Sequence, residues 1–323
     1  MSSPRKLNIL ITGCSPGGTG AALATVFHDA GHRVYATARN PSKLAPLAAQ
    51  GMRTIPLDVT SASSIRSAVE AVSSSLSDGG GGGEGLDMLV NNAAGSYTMP
   101  IADASLDAAR ALFDQNVWGH IAVTQAFLPL LLQSATSSAR SSSSSSTSTT
   151  SGGGGGGGPG RAMVVNHTSV GSVTALPFQG IYNASKAALA MLSETMRLEL
   201  APFGIGVVDL KTAGVRTNMI SNNNVNTKAE GLPADSIYGP AREIVEKAMS
   251  QQGLVERGVT PERWAGEVAA LLLGKNPPTV IWKGESATVA RLASSMPCNM
   301  MEGYLKKMTK LDVVEELIAE SRR

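Results

Sequence analysis

The chain has 323 residues, enough for one large domain or two smaller ones, and 42% of them are hydrophobic. Its 27 basic and 25 acidic residues give a net charge of +2 without a long basic run, so a nucleic-acid partner is not expected. Two cysteines, Cys14 and Cys298, exclude a disulfide scaffold and favour a reducing compartment. No segment approaches the ~20 uninterrupted apolar residues that cross a bilayer. We therefore expect a cytoplasmic protein.

Short apolar runs alternate with helical patterns along the chain, which is typical of a parallel sheet covered by helices on both faces. Seven segments are predicted to be strands: residues 7–11, 33–37, 54–57, 86–90, 162–167, 206–210 and 280–282. Helices are predicted over residues 21–30, 61–77, 112–132 and 182–200, with a last periodic segment over 304–318. The predicted fold class is α/β, a single doubly wound parallel sheet of about seven strands.

Residues 134–160 form a Ser/Gly block that includes Gly152–Gly158 and offers no apolar surface to bury. We expect it to be a disordered insertion inside one domain of residues 1–323, because a split there would separate two halves of the sheet. Residues 219–256 are predicted to form a substrate-loop region, and residues 285–323 a C-terminal extension. Within that extension residues 287–301 are fairly apolar, which fits a substrate lid, a lipid-surface patch or plain core packing.

A glycine-rich segment, Thr-Gly-Cys-Ser-Pro-Gly-Gly-Thr-Gly, occupies residues 12–20 between the first predicted strand and helix. Glycines let the backbone approach a pyrophosphate, and a helix N-terminus offers it free N–H groups. Such turns are often plain tight turns, but the position after the first strand favours nucleotide binding. Cys14 is either a redox-sensitive thiol or a small packing residue. The candidate ligands are Gly13, Ser15, Gly17, Gly18 and Gly20.

Arg39 follows the second predicted strand, where an NAD-specific site would carry an acidic residue for the ribose 2′-hydroxyl. No carboxylate occurs nearby, and a guanidinium pairs well with a 2′-phosphate. The sequence therefore favours NADPH, the alternative being an ordinary solvated arginine. The four histidines are dispersed without metal-ligand spacing, so no metal is expected.

Tyr182 and Lys186 lie at positions i and i+4 of a predicted helix, on one face. A phenol near pKa 10 exchanges protons poorly at neutral pH, whereas a nearby ammonium lowers that pKa towards the working range. The pattern is common by chance on helices. Here Ser169 precedes it by thirteen residues, and that combination leads to a family.

The sequence resembles the short-chain dehydrogenase/reductase family over nearly its whole length, with a Rossmann-type fold implied. The matching motifs are Thr12–Gly20, Asp58-Val59, Asn91-Asn92-Ala93, Asn116, Ser169, and Tyr182 with Lys186. The resemblance implies that Tyr182 donates the proton, while Lys186 lowers its pKa and holds the nicotinamide ribose. Ser169 would orient the substrate carbonyl, and Asn116 would hold a water in the proton relay.

The same resemblance implies that Asp58 binds the adenine amino group and that Val59 contacts the ring. The remaining implied cofactor contacts are Asn92, Ala93, Val215 and Thr217. Three departures from the family pattern are an extra residue around Gly17 and Gly18, alanine at position 94, and Ala213-Gly214 in place of Pro-Gly. None of them removes a catalytic group.

We therefore expect an NADPH-dependent carbonyl reductase acting on a small-molecule ketone or alcohol. The turn and the end of the second strand resemble the fungal 1-acyldihydroxyacetone phosphate reductase branch, which implies an acyl-ketone phosphate and contact with a lipid droplet or the ER membrane. Alternatives are a ketoreductase of a fungal secondary-metabolite pathway, or a non-catalytic NADPH sensor. Arg216, Lys228 and Arg242 are candidate phosphate ligands. A homo-oligomer, either dimer or tetramer, is expected.

Overall fold

A parallel seven-stranded sheet forms the centre of the computed structural model, which describes residues 5–77, 85–143, 162–218 and 231–323. The strands are β1 (Asn8–Ile11), β2 (Arg33–Ala38), β3 (Arg53–Pro56), β4 (Met88–Asn91), β5 (Ala162–His167), β6 (Ile205–Thr212) and β7 (Val280–Lys283). Their order in the sheet is β3-β2-β1-β4-β5-β6-β7, and every pairing is parallel. The predicted fold class is thus confirmed.

The strand order reverses between β1 and β4, which opens a crevice at the carboxyl ends of those strands.

The helices are α1 (Thr19–Asp29), α2 (Ala45–Ala49), α3 (Ala62–Ser77), α4 (Leu106–Phe113), α5 (Gly119–Ser143), α6 (Gly180–Leu200), α7 (Arg242–Met249), α8 (Gln252–Arg257), α9 (Pro261–Leu272), α10 (Ala287–Ala293), α11 (Glu302–Thr309) and α12 (Leu311–Ser321).

Two apolar clusters cover the two faces of the sheet. Ile9 of β1 packs in the cluster that includes Phe27 of α1 and Trp264 of α9. Leu10, the next residue, packs instead with Phe127 of α5. This alternation follows from the two-residue period of a strand, and both sets are buried because helices cover both faces. The core therefore holds the carboxyl ends of the strands in place from both sides.

The long helix expected over residues 112–132 differs from the observed one at both ends. α4 begins at Leu106, a π-helical turn spans Asp114–Trp118, and α5 continues to Ser143. The expected disordered insertion therefore does not begin at residue 134, because Ser134 and Ala135 are buried in α5. Ser134 Oγ donates to Asp87 Oδ1 at 2.5 Å, which ties this turn of α5 to the sheet. Residues 144–161 lie outside the described part of the chain.

The expected substrate-loop region is described only from residue 231 onwards, where it contains α7 and α8. Its Asn222–Asn224 run and Lys228 lie outside the described residues. The periodic C-terminal segment forms α11 and α12, and Lys310, with φ of 61°, separates them. Val314 of α12 packs with Val245 of α7, so the C-terminal extension braces this region.

Four large apolar side chains within residues 287–301 do not pack in the core. Val289, Leu292, Met296 and Met300 are exposed, by 45–64% of their surface. This exposure excludes the core-packing alternative for them. No helix in the described ranges is both long and apolar enough to span a membrane.

Candidate active site

The glycine-rich turn after β1 adopts conformations that only glycine takes without strain. Gly13 and Gly17 have φ of 75° and 73°, in the left-handed region. Gly18 is extended and forms the N-cap of α1, so Gly17 provides the turn and Gly18 begins the helix. A Cβ on Gly13 would lie 2.7 Å from the Cα of Ala93. The turn therefore packs directly on the loop after β4.

The first turn of α1 is equally close to that loop. A Cβ on Gly20 would lie 2.4 Å from Asn92 Nδ2 and 2.6 Å from the Gly13 carbonyl oxygen. No side chain caps the N-terminus of α1, so its first N–H groups have no side-chain acceptor. An anion such as a pyrophosphate would meet this need. The turn and the uncapped helix end together fit a dinucleotide.

The predicted adenosine contacts lie at the neighbouring edge, because β2 and β3 end side by side. Arg39 is exposed directly after β2, and no described residue forms a hydrogen bond or ion pair with its guanidinium. Asp58 Oδ1 accepts from the Thr60 N–H at 3.0 Å and from its hydroxyl at 2.8 Å. Val59 is buried. Ser15 lies half-buried in the glycine turn.

Residues 215–218 approach the same turn from the other side. Val215 pairs with Val259 in an isolated parallel bridge, and the Asn218 N–H donates to the Gly17 carbonyl at 3.4 Å. Thr217 is half-buried between them. Val215 and Thr217 thus lie in the segment that reaches the glycine turn through Asn218, and their cofactor contacts stay a prediction.

Ser169, Tyr182 and Lys186 come together, as the sequence predicts. Ser169 follows β5, and a hydrogen bond joins its side chain to that of Tyr182. Lys186 lies one turn later on α6, with Nζ 5.9 Å from the centroid of the Tyr182 ring. It donates to the His167 carbonyl at 2.8 Å. The three side chains form one group at the carboxyl end of β5.

Burial dominates the protonation of this group. It raises the pKa of Tyr182 above 10.0, and the Ser169 hydrogen bond offsets part of that rise. Lys186 is not among the causes of this shift, and the lowering of the Tyr182 pKa that the resemblance implies stays a prediction. Burial lowers the pKa of Lys186 to about 8, against the opposing charge of Asp209. At neutral pH the phenol is protonated and the ammonium is mainly charged, which suits a proton donor and its electrostatic partner.

Asn116 lies in the π-helical turn and is fully buried. Its Oδ1 accepts from the Gly95 N–H at 2.7 Å, while its Nδ2 donates to the Gly95 carbonyl at 3.1 Å and to Ser185 Oγ at 3.1 Å. The side chain thus fastens the loop after β4 to α6. Its implied role in holding a relay water stays a prediction.

Two buried histidines beside this group were considered in the sequence only as metal ligands. His167, the last residue of β5, bonds to Asn92 and Thr212, and His120 Nε2 donates to the Ala93 carbonyl at 2.7 Å. A histidine that ends a buried apolar strand was the available signal for His167. Cys14, in contrast, is fully buried with its pKa raised to about 12, so its thiol is a packing group.

The profile of the family described as short chain dehydrogenase matches residues 7–153 and 158–228. The chain is 44% identical over 313 residues to a short-chain dehydrogenase/reductase of Pestalotiopsis microspora, covering 97% of both chains. It is 31% identical to the NADPH-dependent 1-acyldihydroxyacetone phosphate reductase of Schizosaccharomyces pombe, over 94% of both. The chain therefore belongs to the short-chain dehydrogenase/reductase family and is an oxidoreductase.

Solved structures agree with this assignment. A short-chain dehydrogenase of Streptomyces avermitilis matches with a TM-score of 0.68 and 24% identity, covering 97% of this chain and 98% of that one. An NADPH-bound carbonyl reductase from chicken fatty liver matches with a TM-score of 0.56 and 25% identity, covering 67% and 82%. The match to the Streptomyces avermitilis structure shows that the two chains share a fold over nearly their whole length.

Gly20→Ala should lower the melting temperature by a few degrees. The new Cβ meets the Gly13 backbone and Asn92, and such overpacking costs about 1–3 kcal/mol, more than the helix propensity gained. Gly266→Ala in α9 is the matched control, because nothing lies within 4 Å of its Cβ position. That variant should be unchanged or more stable in the same thermal scan. Equal stability of the two variants would contradict the close contact at Gly20.

Proposed function

We propose that the protein reduces a ketone to a secondary alcohol with NADPH. The observation that carries this proposal is the hydrogen bond between half-buried Ser169 and buried Tyr182, with buried Lys186 one helical turn away, at the sheet edge that also holds the glycine turn. The printed descriptions of the Schizosaccharomyces pombe relative and of the chicken structure, both of which name NADPH, support the cofactor.

Each side chain of the group then has a defined role. Ser169 and Tyr182 donate hydrogen bonds to the carbonyl oxygen of the substrate, which polarises the bond and orients it. Bound NADPH supplies the hydride that the carbonyl carbon accepts. Tyr182 gives its proton to the oxygen as negative charge develops there. Lys186 stabilises the phenolate that remains and holds the nicotinamide ribose, while Asn116 takes part in returning a proton to Tyr182.

Tyr182→Phe should reduce kcat by at least a hundredfold while leaving NADPH affinity nearly unchanged, because general acid catalysis typically contributes about 10²–10⁴. Steady-state kinetics with a ketone panel and NADPH fluorescence titration measure the two effects. Tyr35→Phe, which removes the hydroxyl of another buried tyrosine, in β2, is the control and should keep its activity. NADPH binding without turnover by the wild type would instead support a non-catalytic sensor.

Cofactor choice follows from the edge where β2 ends. Arg39 is exposed and unpaired among the described residues, and residues 35–42 contain no carboxylate that would accept from a free 2′-hydroxyl. A 2′-phosphate would gain a charge-assisted hydrogen bond there, and Ser15 could add a neutral one. A free ribose would gain neither.

Arg39→Asp should reverse the preference between NADPH and NADH. A charge-assisted bond contributes roughly 1.5–3 kcal/mol, or about tenfold to a hundredfold, so the wild type should favour NADPH by that factor in kcat/KM. The variant loses the cation and repels a phosphate. Arg322→Asp, which makes the same change of charge in the exposed C-terminal residues, should behave as the wild type. Equal use of both cofactors by the wild type would reject the role of Arg39.

The described wall around Tyr182 is apolar. Tyr182 belongs to the same buried cluster as Tyr97, Met99 and Phe178. Tyr238 meets Phe178 edge-to-face, with ring centroids 6.0 Å apart and the planes at 86°. A flat or apolar ketone would match this surface.

Among the three candidate phosphate ligands, Lys228 lies outside the described residues, Arg216 is exposed, and Arg242 is already engaged. Arg242 donates to the Leu232 and Pro233 carbonyls and to Glu246 Oε1, so its guanidinium is occupied in holding this turn. Asp103, which accepts from Ser236 Oγ at 2.7 Å, adds negative charge to the same region. The apolar wall, the engaged Arg242 and the negative charge of Asp103 favour an uncharged ketone over an acyl-ketone phosphate. An uncharged ketone is the substrate of the secondary-metabolite alternative.

The wild type should therefore prefer an uncharged aryl ketone over 1-acyldihydroxyacetone phosphate by at least tenfold in kcat/KM, because an unpaired phosphate is costly to desolvate. Arg242→Gln supplies the control. If Arg242 serves the turn, both substrates should lose activity together. A selective loss with the phosphate substrate would show that Arg242 binds phosphate and would restore the acyl-ketone phosphate assignment.

Two partner assignments are also proposals. A homo-oligomer is supported by the large exposed apolar side chains Trp118, Met191 and Leu198 on α6 and beside α5. Contact with a lipid surface is supported by the exposed Leu292 and Met300 in the C-terminal extension. The proposed compartment is the cytoplasm.

A further inference from the structure

Four polar side chains form a continuous chain across the carboxyl edge of the sheet. Thr19 Oγ1, in the first turn of α1, donates to Asn92 Oδ1 at 2.9 Å. His167 Nδ1 lies 2.9 Å from the same oxygen, and His167 Nε2 lies 2.6 Å from Thr212 Oγ1. The chain thus joins the N-terminus of α1 to the ends of β4, β5 and β6.

The hydrogen bonds of Asn92 fix where the protons lie. Its Nδ2 donates to the Thr12 carbonyl at 2.8 Å and to the Gly13 carbonyl at 3.1 Å. Its Oδ1 must then be the atom that faces Thr19 and His167, and it can only accept. His167 therefore carries its proton on Nδ1, and the lone pair of Nε2 accepts from the Thr212 hydroxyl.

The His167 ring has little freedom to leave this position. It stacks on Trp264, with centroids 5.1 Å apart and an angle of 18° between the planes. Burial and the charge of Lys186 hold its pKa well below 6.5, so the ring stays neutral. Its backbone carbonyl separately receives Lys186 Nζ. The His167 side chain therefore contacts Asn92 beside the glycine turn, whereas its main-chain carbonyl binds Lys186.

We infer that His167 is a positioning residue for the pyrophosphate end of the dinucleotide, acting through Asn92 on the glycine turn and the first turn of α1. The inference rests on the proposed NADPH-dependent function. With Nδ1–H removed, Asn92 Oδ1 keeps one donor in a buried site, and its amide is less firmly held against the Thr12 and Gly13 carbonyls. The anion-binding N–H groups beside them then lose part of their preorganisation.

His167→Phe removes both hydrogen bonds and keeps an aromatic ring over Trp264. It should raise the Kd for NADPH about fivefold to tenfold, the loss expected from one buried hydrogen bond. The kcat at saturating NADPH should change less than about twofold, because the carbonyl that holds Lys186 belongs to the backbone. His167→Asn retains an N–H at the position of Nδ1 and should recover most of the affinity.

His28→Phe, at the far end of α1, is the matched control and should bind NADPH as the wild type does. A double-mutant cycle with Thr19→Val tests the route. If His167 acts through Asn92 on the first turn of α1, the two losses should be clearly less than additive. Full additivity would overturn the route.

The cofactor-free wild type provides a readout that does not depend on binding or activity. The chain has four histidines, and ring ¹⁵N and ¹³C shifts distinguish the two neutral tautomers. His120, which donates from Nε2 to a carbonyl, should be locked as Nε2–H, and His167 as Nδ1–H. An Nε2–H signal assigned to His167 by the His167→Asn spectrum would overturn the inference.

The outcomes separate the inference from the proposed function. A wild type that fails to bind NADPH refutes both. Binding by the wild type with an unchanged Kd in His167→Phe refutes the positioning role alone. Reduced affinity in His167→Phe that His167→Asn does not recover also rejects it, because the loss would then follow from packing. Reduced affinity with recovery and unchanged kcat supports it.

Discussion

The contact between the glycine turn and the loop after β4 constrains the rest of the site. At Gly13 a Cβ would overlap the backbone of Ala93, and at Gly20 a Cβ would overlap the side-chain amide of Asn92 and the Gly13 carbonyl. This approach places the N-terminus of α1 directly over the ends of the central strands, and it brings Asn92 within reach of Thr19 and His167. Looser packing there would separate the N-terminus of α1 from the group formed by Ser169, Tyr182 and Lys186.

The buried cation behind Tyr182 depends on the same edge. A lone ammonium in the interior is costly to desolvate, and a pKa lowered to about 8 reflects that cost. The His167 carbonyl gives Lys186 a hydrogen-bond acceptor, and Asp209 opposes the lowering. Asp209 in turn pairs with Lys211 at 2.7 Å. Positive and negative side chains therefore lie together at the ends of β5 and β6. The carboxylate of Asp209 helps to keep Lys186 charged at neutral pH.

Local patterns in the sequence predict those parts of the structure that depend on local physics. Short segments rich in apolar residues predict the seven strands, and Tyr182 and Lys186 share a face because of the helical period alone. The extension of α5 to Ser143 was missed because composition suggested disorder, whereas Ser134 finds an acceptor on Asp87, far away in sequence. The role of Arg242 in the turn could not be predicted either, because the carbonyl groups that it binds are brought close only by the folded structure. The inferred role of His167 could not be predicted from the sequence, because it depends on which strands end side by side.

The two halves of the site therefore depend on different kinds of information. The proposed dinucleotide side consists of short motifs at the ends of neighbouring strands, which can be read from the sequence itself. The substrate side is assembled from distant segments. Phe178 has a φ of 64°, which is a strained backbone conformation for a bulky residue. Its carbonyl accepts a hydrogen bond from the Met99 N–H at 2.8 Å, and its ring contacts that of Tyr238. Because these contacts join three separate stretches of chain, substitutions in any one can reshape the pocket without touching Tyr182, and substrate choice can diverge while the chemistry is retained.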